Sequence, residues 1–331
     1  MKKALKIAGV ILITIFVLAM LVILGFKAYD RIKYDSFYDH AEKEFYIPGL
    51  DEGFVPQGFE YIKEEHAFLA CGYMTNDECS RVYVISKDGD DFYYTDLKKE
   101  NTDPYTGHTG GITYYKDFVY ITGADGIDVF DLNDILDPSV KFTYQRGTIN
   151  TLGVDPAFCY IYDGELITGS FYKAGDYETP VSHHYKTPAG DENKAMMLAF
   201  SLTNVKADFC INPTPVAAYS LPSYVQGVCV TDDGKLILST SWGLTTSKLY
   251  VHDLDKVLGV TNIDFAKSTF NLEIPLYTVD SSTLVETIEA PPMSEEIVYL
   301  DGKIWIFNES ACNKYIFGKL TTGNYLFSYK Y

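Results

Sequence analysis

Val225-Gln226-Gly227-Val228-Cys229-Val230-Thr231-Asp232-Asp233-Gly234-Lys235-Leu236-Ile237-Leu238-Ser239 reads as a strand, a tight turn and a second strand. Apolar and β-branched residues fill both runs, and the Asp-Gly between them favours positive φ in a hairpin. The unit recurs. Openings at Gln57-Gly58-Phe59, Gly110-Gly111-Ile112, Pro156-Ala157-Phe158 and Glu295-Glu296-Ile297 precede turns at Glu64-Glu65, Lys116-Asp117, Asp163-Gly164 and Asp301-Gly302. A fixed order of elements at roughly 50 to 70 residue spacing is how a propeller blade appears in sequence.

Third strands are expected at Arg81 to Ser86, Gly126 to Asp131, Met196 to Leu202, Lys248 to Leu254 and Asn313 to Leu320. More polar outer strands follow at Phe92 to Leu97, Lys141 to Gly147, Val216 to Leu221 and Leu284 to Glu289, as an exposed edge requires. The fifth outer strand is either Asn324 to Tyr331 or Lys43 to Ile47, and the N-terminal segment, latching first and last blades together, is preferred. The fold class is therefore all-β, a β-propeller with five blades expected and six the alternative, preceded by one transmembrane helix. A β-sandwich also spaces its strands evenly, but it does not require the same opening, turn and strand in fixed order.

Ile7 to Phe26 is an almost unbroken apolar run behind Lys2, Lys3 and Lys6, long enough at about 1.5 Å per residue to cross a bilayer. No small-x-small cleavage site follows it, so an uncleaved signal anchor is expected rather than a removed signal peptide. The expected domains are a cytoplasmic tail at 1–6, the anchor at 7–26, a stalk at 27–44 and the propeller at 45–331. Lys27, Arg31 and Lys33 behind the run nearly balance Lys2, Lys3 and Lys6 in front of it, so export is expected from the short leading tail and the lack of a later span, giving a single-pass cell-membrane protein with its propeller outside the cytoplasm.

Of 45 Asp/Glu and 27 Lys/Arg, residues 1–36 hold two and six, so the remainder carries about −22. Such a surface repels nucleic acid and excludes it as a partner. Cys71 and Cys79 flank one loop and are close enough in sequence for a local disulfide, whereas Cys159 and Cys229 read as small buried hydrophobes.

In a propeller the loops entering first strands and leaving second strands emerge on one face. That places Gln57, His108, Asp155, Gln226, Glu295 and Glu296 in one group, to which the second loops add Tyr73, Asn76, Asp125, Tyr172, His183, His184, Trp242, Asn308 and Glu309; the ligand-binding candidates are the first six with Tyr172, Trp242 and Asn308. Gln57, Gln226 and His108 also fit plain hydrogen-bonding duties between blades. Glu295 and Glu296 are costly if buried unpaired. With Asp155 they form a candidate metal set, for which Ca2+ is the cation that oxygen ligands suit. The insertion Phe171 to Lys194, with His183-His184, reads as a flexible lid.

The openings Val55-Pro56-Gln57-Gly58, His108-Thr109-Gly110-Gly111-Ile112, Val225-Gln226-Gly227-Val228 and Pro291-Pro292-Met293-Ser294-Glu295-Glu296-Ile297 resemble those of exported or membrane-anchored bacterial β-propeller proteins. More distantly the chain is similar to lactonase and strictosidine-synthase-like propellers, a resemblance that implies central acidic and Asn residues holding calcium. The functional expectation is a membrane-anchored binding or scaffold module for a small molecule, glycan or protein. The alternative is a hydrolase, lactonase- or glycosidase-like, with a metal or paired carboxylates at the channel.

Overall fold

In a computed structural model describing residues 2–259 and 261–331, five sheets are arranged as the blades of a propeller, each with four antiparallel strands and two with a fifth strand added in parallel. Blade 1 consists of Phe54–Ile62, Ala67–Met74, Arg81–Ser86 and Phe92–Lys98; blade 2 of Ile112–Tyr115, Phe118–Gly123, Gly126–Asp131 and Gly147–Ile149. Blade 3 comprises Pro156–Tyr162, Glu165–Ser170, Ala195–Ser201 and Ala217–Leu221, and blade 4 Val225–Val230, Lys235–Thr240, Ser247–Asp253 and Leu284–Ala290. Blade 5 takes Ser294–Leu300, Lys303–Asn308 and Tyr325–Lys330 from the C-terminal side and Ala41–Tyr46 from the N-terminal side.

The N-terminal latch is thus present, with Ala41 opposite Tyr329, Glu42 opposite Ser328 and Lys43 opposite Phe327. The expected third strand at Asn313 to Leu320 is not a strand. There the chain folds back on itself, the Gly318 amide donating to Ser310 O at 2.8 Å, and a Cβ at Gly318 would lie 2.1 Å from the Ser310 backbone. The C-terminal segment, weighed as an outer strand, supplies the third one instead.

Blade 2 differs from expectation for a similar local reason. Asp131 accepts from the Asn133 and Asp134 amides and caps the short helix Leu132–Leu136, which carries the chain outward before it returns. Phe142–Tyr144 then pairs in parallel with the outer strand of blade 1, leaving Gly147–Ile149 as the outer strand of its own blade.

Blades pack through aromatic and aliphatic faces. Phe59 stacks on Phe68 at 4.7 Å and on Phe307 at 4.8 Å, which locks blade 1 against blade 5. All six cysteines are free and buried, and the Cys71 thiol donates to Thr109 O at 3.2 Å, so the Cys71–Cys79 bridge is not formed. Cys71 faces blade 2 instead.

The helix Leu5–Lys33 is long and apolar enough to cross a membrane, and its apolar window is wholly unburied. A second helix, Asp35–His40, seats Phe37 against Phe327 and Tyr329. Residues 35–44 therefore belong to the packed body, and the propeller's first strand begins at Ala41. The first helix leaves from the opening side of blades 4 and 5: Phe26 stacks on Phe317 at 5.9 Å, Lys33 meets Glu289 at 2.7 Å, and Tyr34 Oη lies 3.2 Å from Thr246 Oγ1.

Because the latch completes blade 5, a chain lacking residues 1–46 should melt roughly 5 °C or more below one lacking residues 1–34, measured by circular dichroism. Equal melting temperatures would show that blade 5 is stable with three strands.

Candidate functional site

Four of the five inner strands break register at the same place, between Pro56 and Gly58, Pro156 and Phe158, Val225 and Gly227, and Ser294 and Ile297. A bulge re-aims the side chain it carries, and these bulges carry Gln57, Ala157, Gln226 and the Glu295-Glu296 pair. Immediately beyond, the strands crowd the axis: a Cβ on Gly58 would lie 2.7 Å from Gly111 C, and one on Gly227 would lie 2.6 Å from Glu296 Cα. Only glycine fits so close an approach.

An inner strand is a sheet edge, so its outward amides have no strand partner. Glu296 supplies one. Its Oε2 accepts from Phe59 N at 2.7 Å and Ile112 N at 3.0 Å, and its Oε1 accepts from Cys159 N at 3.3 Å. Three blades are thereby tied to a fourth, blade 5, through one carboxylate that is 2 % exposed. Desolvation pushes its pKa well up and the three amides oppose that.

Glu295, also 2 % exposed, turns toward the opening side. Gln226 Nε2 approaches its Oε1 at 3.5 Å, while Gln57 Nε2 donates to Glu309 Oε2 at 2.8 Å and to Pro56 O at 2.7 Å. Burial, then the nearby Glu309 and Glu296 charges, hold the Glu295 carboxyl well above its ordinary range; burial pushes Glu309 to about 7 against the pull of Gln57 and Lys314. At the rim, Lys314 Nζ donates to Tyr73 Oη at 2.6 Å and lies 5.0 Å from that ring's centre. His108 stacks obliquely on Tyr73 at 5.1 Å, and its imidazole is pushed down to about 4 by desolvation in the mouth and by Lys314, although one side stays open to solvent.

The structure therefore brings together Gln57, His108, Gln226 and Glu295 with Tyr73 and Glu309, which the second loops were expected to place on this face, and adds Lys314. Other candidates lie elsewhere. Asn308 donates to Tyr325 O at 3.0 Å and accepts from Ser310 Oγ at 2.9 Å, bracing the turn of blade 5. Tyr172 is buried against His184, and Trp242, 36 % exposed, packs with Phe171 and Tyr177 under Lys173. Asp155 is exposed, and its carboxyl is raised by partial burial and by Asp125. Glu295, Glu296 and Asp155 do not converge: among the described residues no three His, Cys, Asp or Glu side chains form a group able to hold a metal ion, and Glu296 already serves backbone amides.

The 171–194 insertion is pinned rather than a loose lid. Asn193 Nδ2 donates to Ser220 Oγ at 3.0 Å and Val279 O at 2.9 Å, and Asn262 Nδ2 donates to Tyr185 Oη at 3.2 Å. His183 packs on Phe270 and His184 on Tyr172, so the two rings diverge.

No protein-family model matches the chain, and no curated protein sequence does. Similar solved structures include a PQQ-bound aldose sugar dehydrogenase from Streptomyces coelicolor, at 17 % identity over 81 % of this chain and 78 % of that one, with a TM-score of 0.40. A protein described as a putative oxidoreductase (glucose dehydrogenase), from Thermus thermophilus, has 11 % identity over 81 % and 78 % at a TM-score of 0.42. A chain of a nidogen/laminin complex has 8 % identity over 77 % and 73 % at 0.39. These likenesses carry no argument about chemistry; the architecture rests on the five sheets themselves.

A cavity of about 600 Å³ opens on the opposite face, at the far ends of the inner strands, with Glu60 in its lining. Glu60 lies three residues beyond Gln57, outside the openings and second loops from which the site residues were drawn. Its signal was there: one acid within Phe54–Ile62, between Phe59 and Tyr61.

Glu296→Gln puts an amide donor among three amide donors and should cost about 1–3 kcal/mol in urea unfolding. Glu296→Leu, which leaves all three amides unpaired, should cost more. Glu309 titrates at about 7 in the folded protein against an ordinary 4.5. The folded state then holds the extra proton between those values, so wild-type stability falls as pH rises through this window. Glu309→Gln should flatten that fall in melting temperature between pH 5 and 8, and an unchanged slope would refute the raised pKa.

Proposed function

We propose that this protein is a membrane-tethered propeller, exported across the membrane, that binds ligands through the mouth on its opening side. The observation that supports this most directly is the joining of groups from four blades around an under-partnered acid pair. Glu295 meets Gln226 only at 3.5 Å, and Glu309 has Gln57 and the neighbouring Lys314 as its opposing groups. Glu296, by contrast, accepts three backbone amides. A mouth of this kind suits a cationic or hydrogen-bond-donating group, and Ca2+ is a simple probe for it.

Tethering rests on the Leu5–Lys33 helix, on its contacts with Phe317 and Glu289 and on the contact of the adjoining Tyr34 with Thr246, all on the same side as the mouth. Binding is preferred over hydrolysis. Glu296 spends three of its acceptor positions on backbone amides, and burial holds the Glu295 carboxyl well above its ordinary range and raises Glu309 to about 7.

With the full chain in lipid nanodiscs at pH 8, where Glu309 is ionised, calcium chloride should raise the melting temperature through ligand linkage. Glu295→Gln combined with Glu309→Gln should abolish the rise. No rise in the wild type, or an equal rise in the double variant, would count against cation capture at this mouth.

A further inference from the structure

The funnel on the face remote from the helix contacts belongs to neither the mouth nor the Glu296 clasp. Its walls come from blades 1, 2, 3 and 5, and its volume, about 600 Å³, is that of a small-molecule site. In its lining, Glu60 Oε1 accepts from Tyr61 N at 2.8 Å and Oε2 from Thr113 Oγ1 at 2.8 Å. A carboxylate has about four acceptor positions, so capacity remains on both oxygens. Glu60 is only partly buried and keeps contact with the cavity.

Half-buried tyrosines surround it. Tyr114, Tyr160 and Tyr299 line the funnel from three different blades. Two neighbouring tyrosines already carry a cation, Lys87 over Tyr61 at 5.5 Å and Lys116 over Tyr115 at 5.1 Å. Among the described residues no Lys or Arg is found over Tyr114, Tyr160 or Tyr299. The Tyr114 hydroxyl donates to Glu64 Oε2 at 2.9 Å, which draws a second acid toward the rim.

We propose that this funnel binds a small organic cation, its ammonium head at the Glu60 carboxylate and its carbon body against Tyr114, Tyr160 and Tyr299. Aromatic faces and a carboxylate together attract such ions, and the attraction grows as water is excluded. An inorganic cation of high charge density would gain less from the rings and prefers more oxygens than Glu60 offers. The site faces away from the helix, so a soluble ligand reaches it without crossing the lipid surface. It does not depend on ligand capture at the opening-side mouth.

The groups packed around Glu60 set its pH response. Glu296 from blade 5 is the nearby acid, Cys159 and Tyr160 come from blade 3, Cys229 from blade 4 and Tyr114 from blade 2. The thiols and phenols are all pushed upward and stay neutral near pH 7. Glu64, Glu65 and Lys116 sit at the rim. Burial raises Glu60 to about 7, partly offset by Tyr61 N and Thr113, so its charge develops between about pH 6 and 8. Cation affinity should strengthen over that interval.

Isothermal titration of the full chain in nanodiscs with tetramethylammonium chloride, against sodium chloride at equal concentration, tests the proposal. Saturable binding is expected at pH 8, weaker at pH 6. Glu60→Gln should weaken it at least about tenfold, as loss of a partly desolvated charge partner implies. Tyr114→Leu should weaken it, Tyr114→Phe should retain it because the ring face remains, and Glu295→Gln should leave it unchanged. If Glu60→Gln does not fold, the Tyr114 pair decides. Absence of saturable binding at pH 8, binding insensitive to Glu60→Gln and Tyr114→Leu, or equal loss in Glu295→Gln would overturn the assignment.

Discussion

Three backbone amides from three different blades end on the Glu296 carboxylate, and the closure of the ring depends on that convergence. A propeller leaves one edge of every sheet facing its axis, where there is neither a further strand nor room for much water. Gly58, Gly111 and Gly227 let the strands approach the axis, and that closeness is what isolates their amides. Blade 5 carries an acid where those blades carry glycine. The asymmetry of one blade thus satisfies orphan donors of three others.

The same carboxylate divides the axis. On its opening side lie Glu295, Glu309 and the Gln57 and Gln226 amides; on its other side lies Glu60 with the tyrosine-lined funnel. The two faces are chemically distinct, although both are acidic. Three of these acids are held above their ordinary pKa mainly by desolvation, a cost borne by the packing of the blades. Buried acids without full partners are common where function is built, and here they occur on both sides of a structural one.

Turn chemistry made the blades legible. Asp163-Gly164 and Asp301-Gly302 both adopt positive φ at each residue, the geometry that an Asp-Gly hairpin favours, so local sequence alone located the inner strands. Asn313 to Leu320 was misread because its Tyr, Ile, Phe and Leu have the composition of a strand, whereas the chain there folds back so that the Gly318 amide meets Ser310 O. The mouth was half legible for a related reason. Gln57, Gln226 and Glu295 occupy equivalent repeat positions and could be grouped by counting, whereas Lys314 reaches Tyr73 from an irregular loop with no repeat position. Glu296 was marked as an acid needing an explanation; that its partners would be amides of three other blades depends on tertiary geometry.

The latch has a consequence for the order of assembly. Glu44 and Ser328, hydrogen-bonded across blade 5, are 284 positions apart, so the first strand to be synthesised waits for nearly the whole chain before it finds its partner. During that interval it is a free edge, exposed to pairing with any other unfinished strand. Ala41-Glu42-Lys43-Glu44-Phe45-Tyr46 answers this with three consecutive charges, and Glu42 meets its counter-ion only when Lys303 arrives. The strand that seals the ring is thereby kept from sealing anything else first.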